Sequence, residues 1–512
     1  MRRRASLHNL GCKVNAYETE AMEQLLRDGG YEIVPFGEET EVCIINTCSV
    51  TNVADKKSRQ MLHRARAKNP KAVIVAAGCY VQAAENELKE DLAVDILIGN
   101  NRKKDLLEIL EEYFQSQGRT DTFVVDISRA KEYEDLHIRQ VSGHTRALIK
   151  IQDGCNQFCS YCIIPYTRGR VRSRNAEEIL EEARRLASQG FKELVLTGIH
   201  LSSYGLDSRS GEEEEDFIAA GGGSLLNLIR LLHEVEGVER IRLGSLEPRI
   251  VTRKFAMDLA ALPKVCPHFH LSLQSGSAET LKRMNRHYTP REYRESCGYL
   301  REAFEHPAIT TDVIVGFPGE TEEEFAQTKE FLEQIRLYEM HVFKYSRRKG
   351  TRAASMPNQT EEKVKAERSE QLLALEKMMS KEYRAWFTGK EVEVLLEEEV
   401  LIQGSPYWVG YSREYVKQAV SLERLKQAEL PEQQKQAKMS ERQKQAKMSE
   451  RQKQVKMSEQ QKQVKMSGQL TQVPPSDGLT QAAGQEDDFS GRVIKGRMKG
   501  FLTSEIMEFI PF

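Results

Sequence analysis

No surplus of either charge marks this chain: 75 lysines and arginines stand against 77 aspartates and glutamates in 512 residues. A nucleic-acid partner would therefore have to be met by a local patch rather than by bulk charge. No apolar run approaches the roughly 18 residues that a membrane span needs, so nothing is expected to cross a bilayer. The opening run MRRR has the charge of a secretion signal. The stretch behind it, Ala5–Leu10, is too short and too polar to serve as the apolar region of one. Nine cysteines in so long a chain do not make a disulfide scaffold, and those that cluster read as metal ligands in a reducing cytosol. These absences predict a cytoplasmic protein without a membrane partner. The length suggests about three domains at roughly 150 residues each.

What is present is organised around Ile151–Arg174, IQDGCNQFCSYCIIPYTRGRVRSR, where Cys155, Cys159 and Cys162 form a C-x3-C-x2-C run. Three thiolates so close together suit a soft metal. A structural zinc wants four ligands, and no fourth Cys or His lies in the loop. A ferredoxin run has the different spacing C-x2-C-x2-C-x3-C-P. A 4Fe–4S cluster on three thiolates keeps one iron open. The spacing resembles the radical S-adenosylmethionine (SAM) enzymes, in which that open iron chelates the methionine part of SAM. Three free surface thiols or a structural zinc are the alternatives.

Upstream, to about Ile127, apolar runs alternate with helical patterns, the signature of a parallel α/β layer. Strands are predicted at Ala5–Leu10, Val42–Asn46 and Ala72–Ala77, with helices at Ala16–Asp28 and Asp55–Lys68. A cysteine follows each strand: Cys12 in LGCKVN, Cys48 in INTCSV and Cys79 in AAGCYV. Loops after strand C-termini share one edge of a parallel sheet, so these three can converge. They imply a second cluster with a second open iron; the alternative is three small buried residues that happen to end strands. Cys43 falls inside its strand, while Cys266 and Cys297 have no neighbouring thiols, and all three read as core.

GCKVNAYETE, NTCSVT and AGCY, followed by the C-x3-C-x2-C loop, resemble the methylthiotransferase family over nearly the whole chain. The variant GCKVNAYETE is most similar to the branch that acts on threonylcarbamoyladenosine in tRNA. The resemblance implies an N-terminal α/β domain at 1–128, a radical-SAM core at 140–380 built as a partial (β/α)6 barrel, and an RNA-binding β-barrel (TRAM) at 383–512. It also implies two 4Fe–4S clusters, on Cys12, Cys48 and Cys79 and on Cys155, Cys159 and Cys162, with SAM as the second cofactor. One SAM would methylate sulfur associated with the first cluster. A second SAM, cleaved at the other, would give the 5′-deoxyadenosyl radical that takes hydrogen from carbon 2 of the adenine. The implied partners are a tRNA anticodon loop, whose bases are already unstacked, and an electron donor such as flavodoxin or ferredoxin.

Barrel strands are predicted at Ala147–Ile151, Glu193–Thr197, Ile241–Gly244, His268–Ser272, Thr311–Val315 and Met340–Tyr345. By analogy with full barrels, reacting groups should sit at their C-terminal ends. Thr197-Gly198-Ile199-His200 looks like the family's SAM amino-group motif, without its usual acidic residue. LQSGS, with Gln274 and Ser275, and VGFPGE, with Gly316 and Glu320, follow strands likewise. Gly198, Gln274, Ser275, Gly316 and Glu320, together with Tyr161 between the cysteines, are the candidate SAM contacts; ordinary βα turns are the alternative.

In TRGRVRSR, Arg168, Arg170, Arg172 and Arg174 recur at every second residue, so an extended backbone would aim all four one way. Such a stripe could read phosphates, or a carboxylate bidentately; the alternative is a solvated basic turn. The run HVFKYSRRKGTRAASM adds cations at the end of the barrel. Short strands are then predicted at Glu391–Leu396, Tyr407–Tyr411, Tyr415–Leu422, Arg492–Lys499 and Leu502–Phe509. A segment at about 423–488 interrupts them. It repeats K-Q-A-K-M-S-E-R-Q with Met439, Met448, Met457 and Met466 in register. Nine residues turn a helix by roughly 900°, so successive methionines face opposite sides and no apolar stripe forms. A solvated helix or disorder is predicted there. The rival functions are methylthiolation of a ribosomal protein or of isopentenyladenosine tRNA, and a non-catalytic Fe–S protein that binds RNA.

Overall fold

The computed structural model describes residues 2–116, 121–138, 145–208, 217–218, 223–428, 480–481 and 488–512. Most of the repeat segment, and the expectations placed on it, lie outside these. The chain forms two compact units, Met1–Tyr383 and Arg384–Phe512.

The first unit opens with β1 (Arg4–Asn9), α1 (Lys13–Asp28), β2 (Glu32–Ile33), β3 (Val42–Thr47), α2 (Asn52–Lys68), β4 (Val73–Gly78), α3 (Cys79–Lys89), β5 (Ile96–Ile98) and β6 (Asp121–Phe123). The strands form one parallel sheet in the order β2-β1-β3-β4-β5-β6. Every residue of β3 and β4 is buried, as expected of central strands covered on both faces. Their apolar runs explain why these strands were readable. The strand order reverses between β1 and β3, the place where open α/β sheets bind ligands. The loops after those two strands carry Cys12 and Cys48.

The barrel comes next. Strands β7 (Arg146–Lys150), β10 (Glu193–Thr197) and β11 (Arg240–Leu243) make one parallel group. Strands β12 (His268–His270), β13 (Ala308–Val315) and β14 (Glu339–Lys344) make another. Parallel bridges Ile241–Val265 and Leu246–Leu271 join the two groups. Helices cover the outside, and one apolar core runs from Ala147 to Met379 between strands and helices. Between β7 and β10, β8 (Gln152–Asp153) and β9 (Arg172–Ser173) pair as a short antiparallel ribbon that spans the cysteine loop.

Helix α1 docks the first sheet on the barrel. Tyr17 and Ala21 pack with Leu136 and Ile138, and the Tyr17 hydroxyl donates to the Leu136 carbonyl at 2.9 Å. Beside Tyr17, Glu18 is fully buried and pairs with Lys150 at 2.7 Å, Arg168 at 2.7 Å and Lys103 at 2.9 Å. Burial alone would raise the Glu18 carboxyl, but Arg168, Lys103 and Lys150 outweigh it and hold it well below the usual carboxylate range. Asp153 is lowered in the same way, against its burial, by Arg168, Lys150 and Arg172. Because both carboxyls are depressed on folding, the stability they contribute is complete above the unfolded value of about 4 and falls as pH drops below it.

Removing one partner of such a buried set strands the others. Glu18→Gln is expected to cost about 3–5 kcal/mol. Both tryptophans, Trp386 and Trp408, lie in the second unit. The variant should therefore shift the urea transition seen by circular dichroism and leave tryptophan fluorescence where it was. Coincident, unshifted transitions would refute the assignment.

The second unit is a closed barrel of β15 (Glu391–Ile402), β16 (Ser405–Ser412), β17 (Lys417–Ser421), β19 (Val493–Phe501) and β20 (Met507–Pro511). A two-residue strand, β18 (Thr480–Gln481), adds to β15. Pairing runs β15-β16-β17-β20-β19 and back to β15, which leaves no free edge among these five. The expected start of the interruption at residue 423 needs correction. Leu422–Ala428 is a helix whose Leu425 is buried and whose Arg424 lies 3.7 Å from Glu508. Removal of 429–479 alone, joined by a short Gly/Ser linker, should leave the melting temperature of this unit unchanged. Deletion from 423 should lower it, because it also takes Leu425 from the core.

Candidate functional site

The first three cysteines sit where helices begin. Cys12 is the residue before α1, Cys79 opens α3 after Gly78, and Cys48 precedes α2, whose cap is Thr51. Helix N-termini favour thiolates and anions. Gly11, at φ +106°, brings the chain so close to Cys48 that a Cβ there would lie 2.7 Å from its sulfur. Asn100 Nδ2 approaches the Cys79 sulfur at 3.5 Å. Cys12 has exposed surface, yet its sulfur is set deeply enough that burial raises the thiol, with Arg168 opposing and Cys79 adding. Burial pushes Cys48 to about 11, with Cys79 and Cys12 contributing. Each sulfur thus feels the others. Cys12 and Cys48 alone remain protonated; a bound multivalent metal group would hold the thiols as thiolates.

The second triplet lies in the loop spanned by the β8–β9 ribbon. Cys155 N–H donates to the Gly169 carbonyl at 3.0 Å, and Cys162 N–H to the Cys159 carbonyl at 2.9 Å. Burial and the neighbouring Cys159 push the Cys162 thiol to about 12. Arg286 donates to the Cys159 sulfur at 3.1 Å. Asn285 holds the Gln157 and Phe158 carbonyls at 3.2 Å each, and Ser160 N–H bonds Met284 O at 2.9 Å. Phe158 adopts φ +46°. Arg286 and Asn285 carried no signal in the sequence, because they reach the loop from about 127 residues away.

Two ties bring the triplets to one place. Asn15 donates to the carbonyls of Leu10 (2.8 Å) and Thr47 (2.9 Å), which lead into Cys12 and Cys48, and accepts from Arg168 at 2.6 Å. Arg168 also reaches Asp153, two residues before Cys155, at 3.0 Å. Asn100, beside the Cys79 sulfur, donates to the Thr167 carbonyl at 2.7 Å. The second tie is the segment after β14. Arg348 bonds Asp55 (2.5 Å) and Ser49 (2.8 Å), next to Cys48, and Ala353 N–H bonds Ser160 O at 2.7 Å.

The expected one-sided arginine stripe is not formed. Arg168, Arg172 and Arg174 are buried and only Arg170 is exposed. The chain is extended only at Arg172–Ser173; before it come a helical turn at Ile164–Thr167 and Gly169 at φ +73°. Arg174 pairs with Glu182, and Arg172 donates to the Arg168 and Arg170 carbonyls at 2.9 and 3.2 Å. Arg170 lies over the Phe158 ring, 4.5 Å from its centroid. Arg168 and Arg174 thus tie the barrel to α1 through Glu18 and Tyr17, and Arg172 braces its own loop. Arg348, in the second basic run, is likewise internal.

The remaining candidates ring the C-terminal ends of the barrel strands. Gly198 has no space for a Cβ, which would meet Leu201 at 3.0 Å and Gln152 at 3.1 Å. Gln274, at φ +69°, is pinned by Asp312 O (2.8 Å) and Ile314 N–H (2.9 Å). A left-handed non-glycine residue held this way marks a constrained loop. Ser275 is buried against Thr328 at 3.1 Å. The Glu320 carboxylate accepts from Gly316 N–H at 2.6 Å and from Arg368 at 2.7 Å. It is thus committed to shaping its own turn. Tyr161 meets Phe317 edge-on at 6.4 Å. Gln274 thus spends both backbone groups on β13, Gly198 packs on Leu201 and Gln152, and Gly316 leaves room for Lys365, whose side chain a Cβ would meet at 2.3 Å.

Cysteines at the switch point of a parallel sheet, joined to a partial barrel with a C-x3-C-x2-C loop, define a radical-SAM enzyme with a second cysteine set. Residues 149–332 match the Radical SAM superfamily, and residues 4–99 match the Uncharacterized protein family UPF0004. The threonylcarbamoyladenosine tRNA methylthiotransferase MtaB of Bacillus subtilis is 42% identical, over 80% of this chain and 89% of its own. MtaB of Aquifex aeolicus is 38% identical over 82% and 99%. A tRNA-2-methylthio-N(6)-dimethylallyladenosine synthase of a Thermoanaerobacter species is 36% identical over 76% and 81%. The chain belongs to the radical-SAM methylthiotransferase family and is a transferase. Its fold is also that of a radical SAM methyltransferase from Kitasatospora setae, at TM-score 0.50 and 16% identity over 67% of this chain and 73% of that one. Among the described residues, no helix is long and apolar enough to cross a membrane.

Proposed function

We propose that the chain methylthiolates carbon 2 of threonylcarbamoyladenosine beside the anticodon of tRNA, in the cytoplasm, with electrons from a flavodoxin or ferredoxin. The observation that carries this reading is the double tie: two separate segments hold Cys12, Cys48 and Cys79 against Cys155, Cys159 and Cys162. A radical generator and a sulfur carrier must face one substrate atom, and two cysteine sets tied together in this way support that reading.

On this reading each triplet holds a 4Fe–4S cluster. When bound, the cluster on Cys155, Cys159 and Cys162 supplies, with SAM, the radical that removes a hydrogen too weakly acidic for any side-chain base. The protein's part is to hold and exclude. Arg286 donates to the Cys159 sulfur, and hydrogen bonds of that kind set cluster potential. On this reading the turns at Gly198, Gln274 and Gly316, each of which follows a barrel strand, contact SAM. Asn100 bonds the Cys79 sulfur and the Thr167 carbonyl together, so the second triplet keeps its place when the first is loaded. The C-terminal barrel supplies the RNA surface. On β19, Lys495, Arg497, Lys499 and Phe501 alternate outward, cations for phosphates and a ring for a base.

Two of the named relatives act on threonylcarbamoyladenosine and the third on dimethylallyladenosine, so the base must be tested. Purified, reconstituted protein is offered tRNA bearing each modification, and the nucleosides are read by mass spectrometry. Methylthio product on the threonylcarbamoyl tRNA supports the reading. Product only on the dimethylallyl tRNA, or on neither, overturns it.

A further inference from the structure

Away from both cysteine sets, the barrel carries a cluster that the chemistry above does not use. We propose that His270, Asp312 and His341 form a binding site for one divalent transition-metal ion on the lumen wall. The sheet register builds it. His270 on β12 is level with Thr310 on β13, and Asp312, two residues on, is level with His341 on β14. Phe269, Leu271, Val313 and Met340 belong to the core between strands and helices. Alternation therefore turns His270, Asp312 and His341 to the opposite, lumen face.

The donor atoms converge. One nitrogen or oxygen from each residue lies within 4.8 Å of the other two, and His270 Nε2 is 3.3 Å from Asp312 Oδ2. The His270 and His341 rings stack at 6.0 Å and 27°. His270 Nδ1 is 2.9 Å from Thr310 Oγ1. A hydrogen bond to the far nitrogen is what orients metal-binding imidazoles, and here it turns Nε2 toward Asp312. Two imidazoles and one carboxylate are the donor set of open zinc and non-haem iron(II) sites, in which the remaining positions take water or a ligand oxygen. An ordinary His–Asp hydrogen bond would need only two of these residues. The third, His341, brings a second imidazole to the same point.

One further carboxylate shares the face of the cluster. Glu339 alternates with buried Met340 and so shares the lumen face, level with Thr310. Against it stand Arg242 and Arg240, which share the single Glu193 carboxylate at 2.6 and 3.6 Å, and Lys13 and Arg146, which also act on His268. His268 is kept neutral by burial, reinforced by Arg242. The cluster is four residues, about 13 Å of strand, below the Gly316 turn, counted from Asp312. Its nearest SAM candidate is Gln274, whose N–H bonds the Asp312 carbonyl at 2.8 Å, so the cluster lies on the strands directly beneath that turn.

The test uses the full chain with its iron loaded anaerobically, passed through EDTA and a desalting column, then dialysed against micromolar ZnCl2. Elemental analysis should find about one zinc per chain beyond the iron. His341→Gln and Asp312→Asn should each lower zinc affinity by at least about tenfold at unchanged iron content and circular dichroism. Thr310→Val should lower it about ten- to a hundredfold by freeing the His270 ring. His341 is exposed, so its replacement leaves folding intact even if Asp312→Asn does not. Absence of zinc uptake by the parent, or equal uptake by parent and His341→Gln, overturns the proposal.

Discussion

A chain with alanine at Cys155, Cys159 and Cys162 is expected to form no 5′-deoxyadenosine from SAM under strong reductant, and to hold about half of the roughly eight irons of the loaded parent. The loop keeps its shape without its sulfurs, because Asn285, Met284 and Ala353 hold it through its backbone. The loss should therefore be of chemistry and not of fold. Cys266→Ala and Cys297→Ala are the internal controls. Both residues are buried, so each variant should unfold slightly earlier with full iron. Reductive SAM cleavage by the triple variant would sink the assignment of this loop, and iron loss from Cys297→Ala would show that cysteine content alone does not identify the ligands.

Much of this architecture was legible because neighbours in sequence decided it. Strands β3 and β4 are covered on both faces and read as unbroken apolar runs, and the cysteines after β1, β3 and β4 fall on one sheet edge by topology alone. The features that could not be read depend on partners far along the chain. The alternation in TRGRVRSR looks like a surface stripe until Glu18, about 150 residues away, appears against Arg168. Gly169 also breaks the extension that the alternation presumed. The same holds for Asn285 and Arg286, and for His270, Asp312 and His341, which share a point only through strand register. The helix Leu422–Ala428 was absorbed into the repeat because its composition matches that of the repeat itself; only the burial of Leu425 shows that it belongs to the barrel.

The ties between the cysteine sets also say which change should separate two activities that share one recess. With Cys12, Cys48 and Cys79 replaced by alanine, the C-x3-C-x2-C loop keeps every bond described for it, since none runs through those three side chains. Such a chain is expected to cleave SAM to 5′-deoxyadenosine at near the parent rate, to retain about half of the iron, and to put no methylthio group on tRNA. The loss should be complete rather than graded, because the missing component is the sulfur carrier and not a contact that strengthens binding. Arg168→Gln provides the contrast. It leaves all six sulfurs but takes a guanidinium from the buried Glu18 and Asp153 carboxylates, leaving them Lys150 and, for Glu18, Lys103, so it should lower stability by at most about 3–5 kcal/mol and depress both activities together. If the three-alanine chain still makes methylthiolated nucleoside, Cys12, Cys48 and Cys79 are no more than close-packed strand ends. If it loses SAM cleavage as well, the N-terminal sheet serves the radical centre structurally, and the division of labour proposed for the two sets is wrong.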